Sequence, residues 1–467
     1  MTQEKKKLSL FSFFAMTASL FITVYEYPTF AESGKTLIFF LLLCGLFWFL
    51  PVALCSAELA TIKGYQEGGI FGWVGKLLGE KYGFAAIFFQ WFQVTVGFVT
   101  MIYFIIGSLS YVLDFKEMNS NPVIKYLCIL LIFWVLTFLQ FRGTEFSAKL
   151  AKYGFVLGII VPVVILLIMT VKYVGTGHQI NPRFVQDQTF LPKPKEFPQL
   201  VSFVLAYMGV EASAPHITEL DNPKKNYPLI MFLLVIVGVL LSTIGGSAVS
   251  MVVPGKLNLD SGVVDAFKAV IGSKIIVKLM AILVSFGVMA QVSSWIVSPT
   301  EGLRVVAEKN LLPDKFKQVN KNKVPTFILV IQGFLVSAWG AVLTFGGGGG
   351  GSNVSFLTAI SLTVIIYLSA YVLFFIAYFV LILKKSNQSL ERAYTVPGGK
   401  LMQLIIAGCG LIISVLAICL SFISPSELKG SAATTYVMTL SISFVITVAV
   451  PFLFYKFYSL KKKTKAN

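Results

Sequence analysis

Two apolar stretches of this chain, each about as long as a bilayer is thick, are interrupted by a glutamate. The first, Leu8 to Phe30, contains Thr23-Val24-Tyr25-Glu26-Tyr27-Pro28. The second, Leu200 to Ile217, contains Ala206-Tyr207-Met208-Gly209-Val210-Glu211. A carboxylate in hydrocarbon is costly to maintain, so an intramembrane glutamate marks a functional site by default. Paired, interrupted segments at matching places in two halves point to the substrate site of a secondary transporter built on an inverted repeat.

The surrounding composition agrees. The chain is 56% hydrophobic and 13% charged, with a mean hydropathy of +0.82, far too apolar for a soluble globular protein. It reads as one integral membrane domain, residues 1–467, with all-α architecture. Twelve spans are predicted at about 9–31, 36–59, 83–113, 123–142, 152–173, 198–217, 228–254, 276–298, 324–345, 354–383, 401–423 and 434–456. The first is too long for a secretory signal and lacks a small-residue cleavage site, so it is expected to be retained.

A net charge of +17 raises the question of nucleic acid, but the placement of the basic residues answers it. They gather at Lys5–Lys7, Lys63–Lys81, Arg142–Lys152, Lys224–Lys225, Arg304–Lys323, Lys384–Lys400 and Lys456–Lys465. All of these fall on one side if the N-terminus is cytoplasmic. That is the positive-inside pattern, and it predicts a bacterial inner (cytoplasmic) membrane protein with both termini cytoplasmic, facing the lipid bilayer and no nucleic acid.

Cys44, Cys55, Cys128, Cys409 and Cys419 lie in or beside apolar spans and form no CxxC pair. Buried structural thiols are expected, with no metal site and no disulfide framework. The run Gly346–Gly351 lacks the Lys-Ser/Thr and preceding strand of a phosphate loop, and is read as an external hairpin. Residues 174–197 carry three prolines and are expected as an ordered external loop. Val263–Ile271 is expected as a short external surface helix.

In the first interrupted stretch, Pro28 cannot donate to the carbonyl one turn earlier, near Val24. Unwound backbone at membrane depth is tolerated only where it faces protein or a water-filled cavity. Such a break exposes amides and carbonyls that can hold both ends of an amino acid. The competing reading is a kinked structural helix with a partnered Glu26. The second stretch repeats the pattern: Gly209 permits unwinding and Glu211 follows it, with Pro215 and His216 beyond. His216 is either a proton-linked switch or, closer to the helix end, a solvated or capping histidine. Gln291 and Trp295 lie four apart on one helical face, as do Tyr367 and Tyr371. Aromatic pairs at this spacing serve packing as readily as ligand contact. No nucleophile–base pair or metal-ligand cluster stands out, and two histidines in the whole chain argue against most hydrolase chemistry.

At these residues the chain resembles the amino-acid/polyamine/organocation transporters, and within them the bacterial glutamate/γ-aminobutyrate (GABA) antiporters of acid-resistance systems. The stretches that carry the resemblance are TVYEYPTF (23–30), QEGGIFGWV (66–74), AYMGVEASA (206–214), SWIV (294–297), KNLLP (309–313) and YTVPGGK (394–400). The likeness extends to about residue 458.

The resemblance implies a LeuT-like fold. Repeat one would cover about 9–173, repeat two about 198–383, with two additional helices at about 401–456 and broken helices one and six. It implies exchange of external glutamate for internal GABA by alternating access, removing the proton consumed by a cytoplasmic glutamate decarboxylase and so supporting acid resistance. No cofactor is implied. Tyr25, Leu205, Glu211, Trp295, Tyr367 and Tyr371 match positions linked to substrate binding or gating, Leu205 as a hydrophobic gate. Glu26, Tyr207, Gly209 and Gln291 join them as candidates by their place in or near the breaks.

Two departures stand out. Gln291 replaces the Glu of enterobacterial members, removing a titratable group and leaving open whether glutamine is also a substrate. The sequence ends at Asn467 without the longer C-terminal extension that plugs some relatives. Acid activation is therefore expected to arise in the core, through Glu26, Glu211 or the charge of the substrate itself. Glutamate, with a side-chain pKa near ~4.3, enters increasingly as a neutral zwitterion in acid, and cationic GABA carries charge out. The nearest rivals are another amino-acid/amine exchanger and a proton-coupled permease of the same fold. A channel, a sensor and a membrane enzyme are rivals of other classes.

Overall fold

The computed structural model describes residues 8–65, 68–185, 190–346, 352–387, 389–425 and 428–466. Among them the regular structure is helical, and β-type pairing is confined to two isolated bridges, Leu8–Leu220 and Ile62–Arg392.

The first apolar stretch is split. Ser9 caps α1 (Leu10–Phe21), its hydroxyl accepting from the Ser12 amide at 3.2 Å. Residues 22–26 are non-helical, and α2 (Tyr27–Ala31) follows with Pro28 in its first turn. Next come α3 (Thr36–Thr61), the short α4 (Gly69–Leu78), the long α5 (Glu80–Val112) and α6 (Pro122–Gln140). The last of these starts at Asn121, whose Oδ1 accepts from the amides of Val123 and Ile124. Then α7 runs from Thr144 to Gly175 through a π turn at Val156–Ile160. A second π turn, Gly45–Phe49, interrupts α3. Pro51 and Pro162 sit just past these turns. A proline lacks the N–H and crowds the carbonyl one turn back, which widens the helix there.

The second apolar stretch is split likewise, into α8 (Leu200–Leu205), non-helical residues 206–209 and a 3-10 segment, Val210–Glu219. The remaining helices are α9 (Pro223–Val252), the short α10 (Gly262–Val270), the long α11 (Lys274–Glu308), α12 (Thr326–Phe345), α13 (Ser352–Leu383), α14 (Gly399–Ser421) and α15 (Ser431–Ala466).

Among the described residues ten helices are long and apolar enough to cross a membrane: α3, α5–α7, α9 and α11–α15. The two interrupted stretches fall outside that set because their breaks leave pieces of at most 12 residues. The most deeply enclosed is α5, packed along α11 and α13. Gly158 and Gly287 bring α7 and α11 into backbone contact, since a Cβ on either would strike the other's main chain. Large apolar side chains such as Leu131, Val171, Ile275, Ile412 and Val445 lie exposed on the outer helices, as a lipid-facing surface requires.

Several expectations change. α11 continues past residue 298 to Glu308, held by Arg304 pairing with both Glu301 and Glu308 on consecutive turns. α15 continues past 456 to Ala466. α4 was not expected at all. The helix expected at 263–271 is α10, but it is no free surface helix: Val263, Val264, Ala266 and Phe267 are buried and Gly262 presses on Pro28. The 174–197 connection contains a helical turn at Pro182–Val185 and a 3-10 turn at Pro194–Gln199. Of the thiols only Cys44 and Cys55 are buried; Cys128 and Cys409 are half-buried and Cys419 is exposed on the apolar face of α14. Residues 347–351 of the glycine run, and Gln66 and Glu67, lie outside the described residues.

Candidate functional site

The two breaks meet around a small central cavity of about 30 Å³, room for a water molecule or two and far less than an amino acid occupies. Leu20, Tyr25 and Glu26 line it from the first break, Leu205 and Met208 from the second, Gln291 and Trp295 from α11, and Thr363 and Tyr367 from α13. α5 contributes Gln93, Gly97 and Thr100. Sequence reasoning missed this α5 wall, although Gln90 and Gln93, three apart in a long apolar run, were a signal for it.

Three polar atoms of this lining are buried without a hydrogen-bond partner among the described residues: Glu26 Oε2, Gln291 Oε1 and Thr363 Oγ1. Native interiors leave few such groups unpaired. Glu26 is 3% exposed, and its carboxylate lies beside the Tyr25 hydroxyl.

Glu211 is the opposite case. Its Oε1 accepts from the Tyr367 hydroxyl at 2.5 Å and from Gln90 Nε2 at 3.0 Å, and its Oε2 accepts from the Tyr371 hydroxyl at 2.5 Å. The Tyr371 hydroxyl in turn accepts from the Gly209 amide at 3.0 Å. One carboxylate thus ties the second break to α5 and α13, and it is fully engaged in doing so. The spacing of Tyr367 and Tyr371 places both hydroxyls on it.

Gly209 has φ +105°, and a Cβ there would come within 2.7 Å of the Trp295 ring. Only glycine satisfies both the left-handed backbone and the close approach. Trp295 also closes the other break: its Nε1 donates to the Leu20 carbonyl at 2.6 Å, and Gln291 Nε2 donates to the same oxygen at 3.0 Å. In an unbroken helix that carbonyl would accept from residue 24. The break frees it, and α11 supplies the replacement donors.

Tyr207 does not reach the cavity. Its ring stacks on Phe49 with centroids 4.7 Å apart, and its hydroxyl donates to the Leu41 carbonyl beside the π turn of α3. His216 lies beyond the break, its Nδ1 3.7 Å from Glu219.

A further buried carboxylate was not singled out in the sequence. Glu58, near the end of α3, is fully enclosed. It pairs with Arg392 at 2.5 Å and accepts from the Tyr378 hydroxyl at 2.7 Å, the Val396 amide at 2.9 Å and Gln403 Nε2 at 3.3 Å. Backbone bonds join the same segments, from Ala393 to the Thr61 carbonyl and from Lys63 to the Glu391 carbonyl. The network fastens the α13–α14 connection to α3. Among the described residues no group of His, Cys, Asp and Glu could hold a metal ion.

The amino acid permease family model matches residues 8–450. A glutamate/gamma-aminobutyrate antiporter of Lactococcus lactis subsp. lactis is 53% identical over 463 residues, covering 97% of this chain and 91% of its own length. Its counterpart from L. lactis subsp. cremoris is 53% identical over 466 residues, covering 98% of this chain and 92% of its own. An uncharacterized transporter of Legionella pneumophila is 30% identical over 463 residues, 98% of each chain. With its apolar helices and nearly its whole length matched, this chain belongs to the amino acid permease family and is a multi-pass membrane transporter, not an enzyme.

Proposed function

We propose that the chain is an antiporter that takes up external glutamate in exchange for internal GABA by alternating access. The observation that carries this reading is the central cavity at the junction of the two breaks. Glu26 Oε2, Gln291 Oε1 and Thr363 Oγ1 are three unpartnered groups able to accept there, matching the three donors of an ammonium group. Both substrates bear that ammonium. Among the described residues no Lys or Arg lines the cavity, so a carboxylate is met by hydroxyls and by backbone of the breaks. The name borne by the two Lactococcus relatives supports the substrate pair.

The cavity is too small for either substrate, so binding requires the lining to part. Leu205, at the end of α8 and beside the break, is the gate in this scheme, and Glu211 is the hinge post holding the second break to α13. Tyr25, Trp295 and Tyr367 shape the cavity, while Tyr207 acts as a packing residue.

The order of elements supports an inverted repeat over about 9–173 and 198–383. A broken helix, a spanning helix, a short helix, a long helix and two more spanning helices occur twice, as α1/α2 to α7 and as α8 to α13. The long helices, the third span of each repeat, match in size, 33 residues in α5 and 35 in α11. Adding the two broken spans to the ten continuous ones makes twelve, with α14 and α15 as the extra pair. An even number places both termini on one side, and the basic residues put that side in the cytoplasm. Glutamate-for-GABA exchange then removes the product of a cytoplasmic glutamate decarboxylase and supports acid resistance.

The test is uptake of labelled glutamate into proteoliposomes preloaded with GABA, against empty vesicles, at acidic and neutral pH. Uptake is expected only with internal GABA and to rise in acid. Equal uptake into empty vesicles would identify a uniporter or proton-coupled permease instead. Competition by unlabelled glutamine measures whether the neutral amide is also accepted.

A further inference from the structure

A second cavity, about 40 Å³, is lined by neighbouring residues of segments that also line the first. The first break and α2 place Glu26 in the central cavity and Thr29 in the second; α8 places Leu205 in one and Ser202 in the other; α13 places Thr363 in one and Ser361 in the other. These pairs are two or three residues apart, roughly 3–5 Å along a helix axis.

Thr29 is 6% exposed, and its Oγ1 is buried without a partner among the described residues. A helical threonine ordinarily returns its hydroxyl to the carbonyl four residues earlier. Here that residue is Tyr25, inside the break, and the hydroxyl is left facing the cavity. The charges at the rim are unequal. Glu32 lies in the field of Arg183, whereas Lys195, exposed at the mouth, has no carboxylate partner among the described residues.

We propose that this cavity, once its lining parts as that of the central cavity must, is a second site for an amino acid held by its carboxylate, on the route between the central cavity and the aqueous face beside α2. Lys195 supplies the positive charge; Thr29 and Ser202 supply hydroxyl donors. The substrate rests there before Leu205 yields. The inference rests on the exchange function proposed above.

The test is the KM for glutamate measured separately at each face of the full-length protein in vesicles of one orientation. Lys195→Met is expected to raise KM at the α2 face about three- to fivefold, the size of a rim charge, with KM at the other face unmoved. Lys195→Arg should restore it. Thr29→Val, which keeps shape and removes the hydroxyl, should raise the same KM up to about tenfold. Equal shifts at both faces would mean the variants act on the central site, and no shift would mean the cavity holds only water; either result overturns the inference while leaving the exchange function standing. Wild-type protein that exchanges no carboxylate-bearing amino acid would overturn both.

Discussion

Gln291 shows how one side-chain atom can decide a pH profile. Its amide nitrogen donates to the carbonyl of Leu20 that the break has freed. An ionised glutamate has no donor, so Gln291→Glu would set two acceptors against each other in a buried site. Exchange by this variant is expected to fall about tenfold or more near neutral pH. It should recover as the pH drops and the protonated carboxyl regains an O–H to donate. Initial exchange rates across about pH 5–8, compared with wild type, would show this; a variant with the wild-type profile would mean that Trp295 alone holds the carbonyl. Gly209→Ala tests a steric demand instead. The left-handed backbone and the Trp295 ring both oppose a Cβ, and a loss of about 2–4 kcal/mol is expected, seen as a lower thermal midpoint in detergent. Part of this chemistry was open to sequence reasoning and part was not. Glycine followed by glutamate in an apolar run announced the break. That Glu211 would be saturated by Tyr367, Tyr371 and Gln90 while Glu26 Oε2 was left without a partner among the described residues depends on which helices meet, which spacing along one helix does not encode.

The two broken elements are joined to each other as well as to the helices around them. The Thr17 hydroxyl donates to Ser213 Oγ at 2.9 Å. Leu8 and the 219–221 stretch exchange backbone bonds, from the Leu8 amide to the Glu219 carbonyl and from the Asp221 amide to the Leu8 carbonyl. In the alternating-access scheme proposed above, these bonds would carry α1 and the 3-10 segment as one body hinged at the breaks, moving against α11. In a chain freed of its five cysteines, none of them disulfide-bonded among the described residues, this gives a pair of opposed outcomes. A cross-link between Thr17→Cys and Ser213→Cys is expected to leave exchange running. One between Leu20→Cys and Gln291→Cys is expected to stop it beyond what the reduced double variant loses. Arrest by the first link would show that α1 and the 3-10 segment slide past each other. The Glu58 cluster acts at the same scale. Glu58→Gln leaves the Arg392 charge without its partner in a mostly buried place, at a cost of about 3–5 kcal/mol, measurable as a fall in thermal midpoint. The sequence left this latch unread because Arg392 sits 334 positions away in a connection that looked merely polar.

At the scale of the whole molecule, hydropathy and basic-residue placement carried most of the fold, since in lipid a backbone has few options besides helix. The exceptions have physical causes. α11 and α15 outran their apolar stretches because helices do not end where the hydrocarbon does, and α4 escaped notice because ten residues are too few to register as a span. Orientation follows from charge, and it fixes which end of the exchange path sees the outside. Six of the basic residues fall between Arg304 and Lys323, in the α11 end and its connection to α12, whereas the α5–α6 connection carries Lys116 with Asp114 and Glu117. Asp114 is moreover held below the usual carboxylate range by the ammonium groups of Lys278 and Lys274, so it stays charged on its side at any physiological pH. A translocating chain retains the larger cluster of Lys and Arg in the cytoplasm. In single-cysteine chains, Ser120→Cys should therefore react with a membrane-impermeant maleimide in intact cells, and Lys321→Cys only after permeabilisation; both positions are exposed. The reverse pattern would invert the molecule, place the cavity beside α2 on the cytoplasmic side, and make it the waiting site for outgoing GABA instead of incoming glutamate.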